Sequence, residues 1–246
     1  MAQVLLVSDL HLSAERPAII ERFMRFVGVE AIRAQALYVL GDLFEHWVGD
    51  DELSAPQVDH VAAQVVDAFS ALTRAGVALH LMHGNRDFLL GREFLSACGA
   101  SALADPTVRE LGGVDTLLMH GDTLCTDDRD YMAWRATSRS ETWQRTFLAA
   151  PLAARIERAR ALRAQSETSK KSKTPEIMDV NAEAVRQAFE RFGVTRMIHG
   201  HTHRPARHVL EVAGRTCERW VLPDWYERGG YLCVDRTATR LLALSP

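Results

Sequence analysis

The sequence contains no apolar run approaching the ~18 residues of a membrane-spanning helix, and its N-terminus enters Val4-Leu5-Leu6-Val7 without the basic and apolar regions of a secretory leader. Neither an integral membrane protein nor an exported one is suggested, and a cytoplasmic location is expected. Cysteine is scarce as well. Cys98, Cys125, Cys217 and Cys233 form no C-x-x-C pair and no zinc spacing, which argues against a disulfide framework and a thiolate metal site. What remains is an ordinary globular composition, 47% hydrophobic and 25% charged over 246 residues, enough for one sizeable core or one core with an insertion.

The net charge of −3 hides an asymmetry. Between Arg129 and Lys173, eleven arginines and lysines stand against four acidic residues, a balance of +7 that leaves −10 for the rest of the chain. A basic segment inside an acidic protein points to an anionic partner for that segment.

One arrangement recurs along the chain. The apolar run Ala36 to Leu40 reads as a buried strand that Gly41 ends sharply, so Asp42 stands at the strand's carboxyl end. Four other short apolar runs deliver Ser8-Asp9-Leu10-His11, His83-Gly84-Asn85-Arg86-Asp87, His120-Gly121-Asp122 and His199-Gly200-His201-Thr202-His203. If these segments are extended, residues two apart share a face, which pairs Asp9 with His11 and aligns His199, His201 and His203. Helices are expected over Pro17 to Ala34 and Gln57 to Ala75, and the β-rich segments beyond His208 are expected to complete a second sheet. Glu45, His46, Asp50 and Asp51 read as a polar loop around a packed Trp47, His60 as solvent-facing, and His80 and His83 as core or edge histidines.

The strand ends thus collect Asp9, His11, Asp42, Asn85, His120, His201 and His203. Carboxylate, imidazole and amide ligands without a thiolate suit Mn²⁺, Fe²⁺ or Zn²⁺, and the oxygen share favours Mn²⁺. The two oxygens of Asp42 can bridge two cations, and two cations about 3.5–4 Å apart can clamp a phosphoryl group and activate water. A phosphoester hydrolase is the expectation.

Taken in order, D-x-H, G-D, G-N-R-D, H-G-D and G-H-T-H, spanning Asp9 to His203, resemble the signature of calcineurin-like metallophosphoesterases. The resemblance implies an α/β fold, a two-sheet sandwich flanked by helices, as a single domain over 1–246 with a helical lid insertion at about 128–176. It implies two Mn²⁺, one held by Asp9, His11, Asp42 and His203, the other by Asp42, Asn85, His120 and His201. Asp42, Asn85 and Arg86 become the catalytic group. Most members carry a histidine where this chain has Arg86. Arginine does not give up its proton, so Arg86 is expected to act as a fixed positive fork against charge developing on phosphoryl oxygens. Asp87 and Asp122 are expected to orient the ligating histidines. His199 is left without a metal.

About eighty residues separate the fourth motif from the fifth, far more than a β-α connection needs. Asp128 to Phe147 and Leu152 to Ala164 read as helices that set Tyr131, Trp134, Trp143 and Phe147 beside arginines, and Ser166 to Thr174 reads as a polar loop. Basic and large apolar groups together suit a substrate both phosphorylated and greasy. The strings G-D-L-F-E-x-W-x-G-D-D, H-G-N-R-D-F-L-L-G, H-G-D-T-L-C-T-D-D and I-M-D-V-N are similar to a branch of the family that serves lipid A synthesis in Gram-negative bacteria. That likeness implies a nucleotide-activated glycolipid substrate touched by Asn85, Arg86, Asp128, Tyr131, Ser166, Lys170, Lys173 and His201, with Lys170 standing where the branch has an asparagine. It also implies peripheral attachment to the cytoplasmic face of the inner membrane, with neither nucleic acid nor an obligate protein partner. A soluble nucleotide phosphodiesterase or nuclease would share every metal ligand and is the alternative. An inactive scaffold would require decayed ligands, and all seven are present.

Overall fold

A computed structural model of the chain describes residues 3–55, 60–171, 174, 177–226 and 229–244. In chain order its first half runs β1 (Val4–Val7), α1 (Pro17–Val29), β2 (Ala36–Leu40), α2 (His60–Arg74), β3 (Ala78–Met82), α3 (Arg92–Cys98), β4 (Ser101–Leu103), β5 (Thr107–Leu111) and β6 (Val114–Leu118). Then follow α4 (Arg129–Ser138), α5 (Glu141–Leu148), α6 (Leu152–Lys171), α7 (Ala182–Phe192), β7 (Arg196–His199), β8 (Ala206–Val212), β9 (Arg215–Val221), β10 (Gly230–Val234) and β11 (Thr239–Ala243). The strands form one six-stranded sheet, β11-β10-β1-β2-β3-β4, and one five-stranded sheet, β5-β6-β7-β9-β8.

Alternation within the strands decides the layering. Leu5, Val7, Leu37, Val39, Leu79 and Leu81 turn toward the helical layer of Phe23, Phe26, Phe69 and Phe94. Their neighbours Leu6, Tyr38, Leu40 and Met82 turn the other way and meet Leu118, Ile198, Trp220 and Leu222 of the second sheet. The outer face of that sheet, with Leu117, Met197 and Cys217, packs on Val185 and Phe189 of α7. The order is therefore helices, sheet, sheet, helix. Strands covered on both faces need no polar alternation, which is why Ala36–Leu40 is apolar at all five positions. The parallel core of β1, β2 and β3, and of β6 and β7, aims its carboxyl ends at one edge of the sandwich. There the loops of the two sheets interlock: Gly200 N donates to His120 O at 2.8 Å, and the His120 ring nitrogen Nδ1 donates to Leu40 O at 2.9 Å.

Several expectations are corrected. The β-rich C-terminal segments do not all enter the second sheet, because β10 fills the open edge beside β1, with Val4 opposite Val234, and carries β11 with it. α1 stops at Val29 and a separate 3-10 turn covers Ala31–Arg33. The helix expected from Asp128 to Phe147 is two helices, since Ser140 accepts from Trp143 N at 3.3 Å and starts a new one. The polar stretch from Ser166 is helical through Lys171, and Thr168 is accommodated by donating to Ala164 O at 3.0 Å. The beginning expected for α2, at Gln57, lies outside the described residues.

The segment between β6 and β7 is fastened to the sandwich rather than appended to it. Phe147 joins the main core, with Trp143, Leu152 and Ile156 packed against it. Arg155, only 3% exposed, donates to Val48 O and pairs with Asp51. Beneath that contact Glu52 is buried and accepts from Val48 N. Burial pushes its carboxyl up to about 7, with the Val48 hydrogen bond opposing and the Asp51 charge adding. The folded chain therefore binds this proton more tightly than the unfolded one. The associated stability is present below about pH 4.5 and is lost as pH rises toward 7. Glu52→Gln is expected to remove that slope, leaving the variant more stable than the parent at pH 8 by about 2 kcal/mol and nearly equal at pH 5. Denaturant unfolding at the two pH values measures it, and an unchanged difference between them would reject the assignment.

Candidate metal centre and cleft

The backbone at the strand ends is not extended. Asp9 (φ 55), His11 (φ 49), Asp42 (φ 54), His201 (φ 68) and His203 (φ 55) all lie in the left-handed region, where side chains other than glycine are uncommon. The pairing of residues two apart is real, but it comes from successive tight turns and not from strand periodicity. Such conformations cost of order 1–3 kcal/mol each and persist where the surroundings over-determine them. Here the close approach of neighbouring loops does so. A Cβ on Gly84 would sit 2.1 Å from Asp42 Oδ1, and one on Gly200 would sit 2.2 Å from Asp9 Oδ2.

All seven strand-end residues converge. Asp42 lies between two groups. Its Oδ2 is 3.7 Å from His11 Nε2, and its Oδ1 is 3.9 Å from His120 Nε2. On the first side His203 Nε2 lies 3.3 Å from Asp9 Oδ1 and 3.4 Å from His11 Nε2. On the second, Asn85 Oδ1 is 3.0 Å from His120 Nε2 and 2.8 Å from His201 Nδ1. Asp9, His11 and His203 have ligand atoms close enough to share an ion, and so do Asp9, Asp42 and His120. Asp9 thus reaches toward both groups, and its Oδ2 also accepts from His201 N at 2.8 Å.

Asp9, His11, Asp42 and His120 are each at most 2% exposed, so several charges are held out of water. Burial raises Asp42 to about 7 despite the neighbouring His120 charge. Burial opposes protonation of His120, yet Asp42, Asp9 and Asp122 outweigh it and raise that imidazole to about 9. For Asp9 burial is likewise overcome, here by His203, and the carboxyl is held below its usual range. Burial carries His201 down to about 3 and His11 well below 6.5, leaving neutral imidazoles, the form that ligates metals.

Divalent cations fit this donor set. Asp9 Oδ1 is fully buried and faces only the imidazole nitrogens of His203 at 3.3 Å and His11 at 3.9 Å, and a buried carboxylate is costly unless an ion or proton meets it. Three of the four histidines also turn their second nitrogen to an acceptor: His120 to Leu40 O, His203 to Asp224 Oδ2 at 4.0 Å, and His11 to Glu45 Oε2 at 3.6 Å. These acceptors were not the ones expected. Asp87 instead accepts from the backbone of Gly84 (2.8 Å), Leu43 (2.7 Å) and Asp42 (3.3 Å), binding the second and third motifs together. Asp122 receives Tyr131 and Arg135. His199 is buried, bonded to Gly200 O and Arg219, and does not face the centre.

Above the centre opens a cleft of about 580 Å³, walled on one side by Phe88, Trp134, Trp143, Phe147 and Leu162. Arg86, Asp128, Tyr131 and Ser166 all line it. Two of these also have structural duties. Asp128 caps α4 by accepting from Tyr131 N at 3.1 Å, and the Tyr131 hydroxyl is given to Asp122, so Tyr131 offers the cleft its ring. Lys173 and the side chain of Lys170 lie outside the described residues. Glu45, read as part of a polar loop, lines the cleft beside His11, and Tyr226, which no motif marked, stacks on the His11 ring with centroids 4.9 Å apart. The missed signal for Glu45 was its place three residues after Asp42. For Tyr226 it was adjacency to Trp225, which is fully buried and whose backbone N–H donates to Asp9 O at 3.0 Å.

A two-sheet sandwich with this centre at one edge is the architecture of a metal-dependent phosphoesterase, and the chain belongs to the calcineurin-like phosphoesterase family, whose model matches residues 2–205. The family works with divalent metal ions. Within it the chain is similar to proteins named UDP-2,3-diacylglucosamine hydrolase. That of Cellvibrio japonicus (strain Ueda107) is 48% identical over 96% of each chain, and that of Xanthomonas axonopodis pv. citri (strain 306) is 46% identical over 98% of each. A solved archaeal phosphodiesterase, 13% identical with a TM-score of 0.50 over 98% of this chain and 99% of its own, shares the fold.

Proposed function

We propose that the chain hydrolyses the pyrophosphate of UDP-2,3-diacylglucosamine, giving UMP and 2,3-diacylglucosamine 1-phosphate in lipid A synthesis, with two Mn²⁺ bound. The observation that carries this is the junction in one cleft of a site for phosphoryl chemistry with a wall of Trp134, Trp143, Phe147 and Phe88. Acyl chains gain from burying their apolar surface against such a wall. The names of the relatives support the same substrate.

Asp9, His11, Asp42 and His203 would hold one ion, and Asp42, Asn85, His120 and His201 the other. When bound, the pair supplies Lewis acidity toward phosphoryl oxygens and a nucleophilic water at neutral pH. The rest falls to the chain. Asn85 and Arg86 meet the phosphate, and the Arg86 guanidinium opposes charge as water adds to the phosphorus attached to uridine. The bridging P–O bond breaks, UMP keeps the new oxygen, and the diacyl sugar leaves as its 1-phosphate. Asp128, Tyr131 and His201 would meet the substrate beyond the metals, and Ser166, Lys170 and Lys173 its glucosamine or lipid-phosphate side. Helices α4 to α6 act as a lid whose apolar side takes the acyl chains. No helix among the described residues is long and apolar enough to cross a membrane. The arginines of the lid would hold the protein against anionic headgroups of the cytoplasmic leaflet.

Incubation with detergent-solubilised UDP-2,3-diacylglucosamine is expected to release UMP when Mn²⁺ is added and none with chelator. Cleavage of soluble diesters or oligonucleotides with the glycolipid untouched would overturn the substrate and keep the centre.

A further inference from the structure

His11 uses only one face of its ring edge on the centre. Its Nε2 points at Asp42 Oδ2 (3.7 Å), Asp9 Oδ1 (3.9 Å) and His203 Nε2 (3.4 Å). Once Nε2 is given to a cation, the proton must sit on Nδ1, which is buried and without a hydrogen bond. The carboxylate facing it is Glu45, with Oε2 at 3.6 Å and a side chain 14% exposed. Glu45 is not anchored by its own loop alone. Arg16, just ahead of α1, pairs with the same Oε2, and Arg163 of α6 brings its Nε to 2.7 Å from Oε1. The two arginines also meet over Tyr226: the Arg16 guanidinium lies 4.5 Å from the ring centroid, and Arg163 Nη2 donates to the Tyr226 hydroxyl at 3.5 Å. That ring is stacked on His11, with an interplanar angle of 18°.

We propose that Glu45 is a positioning residue that orients His11 toward the first cation and, through Arg163, couples occupancy of that site to the seating of α6 over the cleft. The idea rests on the metal reading given above. Its physical content is a carboxylate shared between a ligating histidine and a helix of the cleft wall. A carboxylate behind a metal histidine fixes the tautomer and raises ligand basicity, and its loss costs tenfold or more in affinity. When the cation draws electron density from His11, the Nδ1 proton becomes more acidic and the bond to Glu45 tightens, which holds Glu45 where Arg163 can reach it. Linkage requires the reverse as well: a seated α6 must strengthen cation binding by the same factor. Tyr226 completes the device as a plate that keeps the His11 ring from tilting and offers Arg163 a second point of contact.

The experiment titrates Mn²⁺ into the metal-stripped full chain by calorimetry and follows amide hydrogen exchange in α6 with and without the ion. Four proteins are compared: the parent, Glu45→Gln, Arg163→Ala and His203→Ala. In Glu45→Gln one of two binding events is expected to weaken about tenfold while the other is unchanged. In the parent Mn²⁺ is expected to slow exchange in α6. That slowing is lost in Glu45→Gln and in Arg163→Ala, and Arg163→Ala loses about fivefold in affinity at the same event. Wild-type affinity at both events in Glu45→Gln, with His203→Ala losing one, would overturn the proposal and leave the metal site standing. So would exchange in parental α6 that ignores the ion. Two normal binding events in His203→Ala would overturn the metal reading itself. Arg163 is partly exposed and Arg163→Ala leaves Glu45 in place, so that arm does not depend on how well Glu45→Gln folds.

Discussion

Asp42→Asn is expected to abolish hydrolysis while leaving the chain folded, and to make the metal-free protein more stable than the parent. Asp42 faces both histidine groups, His11 through Oδ2 and His120 through Oδ1. The amide keeps the shape, and its oxygen can still accept from Arg86 N, a bond of 2.8 Å in the parent. What it loses is the charge and the second oxygen, and with them the ability to serve two cations. Turnover at saturating Mn²⁺ is expected to fall by about 10³ or more, with both binding events weakened. Stability moves the other way. Burial, with the charges of Asp87 and Asp9, already drives Asp42 up to about 7, so the charged carboxylate is an expense to the cation-free fold. Removing such a buried charge is expected to add about 1–2 kcal/mol in chelator. Turnover within tenfold of the parent would exclude a bridging role, and a lower melting temperature in chelator would mark Asp42 as a structural residue.

The same opposition explains which parts of the molecule could be read from the sequence. The strands around the centre are buried on both faces, so they announce themselves as apolar runs, and all but β1, which leads into Ser8, run into a glycine next to a candidate ligand. Position along the chain therefore picked out Asp9, His11, Asp42, Asn85, His120, His201 and His203 as candidate ligands, and the fold brings these side chains together. The route by which adjacent ligands meet was not legible. Left-handed φ at Asp9, His11, Asp42, His201 and His203 goes with close approach of neighbouring loops, Gly84 against Asp42 within one sheet and Gly200 against Asp9 across the two. Asp and His enter that region more readily than most side chains, but so slight a preference does not assign it to these positions.

Long-range polar pairing was equally silent. Arg155 and Arg163 count in the sequence as members of a basic segment destined for an anionic ligand, yet Arg155 is spent inside the protein on Val48 O and Asp51, and Arg163 reaches Glu45. Arg135 goes to Asp122 at 2.7 Å. The net +7 of the segment thus overstates what is available to a headgroup or phosphate, because charges are neutralised by partners more than a hundred residues away. The C-terminal strands show a related blindness. Their alternation is plain, but nothing in it says that β10 belongs beside β1 and not beside β9. Only the vacant edge of the parallel sheet decides that.

Arg86 offers the sharpest separation of binding from catalysis. Its backbone is pinned between two motifs, with N donating to Asp42 Oδ1 and O accepting from Trp47 N at 3.1 Å, so the side chain can be exchanged without moving the loop. The guanidinium lines the cleft beside the centre, and its charge is felt by both His11 and Asp42. A cation placed there favours the extra negative charge of the transition state over the charge already on the substrate, so its loss should appear in kcat more than in KM. Arg86→Ala is expected to lower kcat by about 10³, close to 4 kcal/mol, and Arg86→Lys, which keeps the charge but not the planar fork, by about 10². Binding of Mn²⁺ is expected to tighten in Arg86→Ala, where a positive neighbour is removed, and to hold in Arg86→Lys, where the charge stays, which sets these variants apart from any loss of a ligand. Arg86→His supplies the decisive profile. An imidazole can act there as a cation or proton donor only while protonated, so its rate should exceed that of Arg86→Ala at low pH and decay toward it as pH rises through about 6.5. Arg86→Lys, charged throughout, should show no such limb. A defect confined to KM in all three variants would make Arg86 a substrate anchor and leave the developing charge to the cations alone.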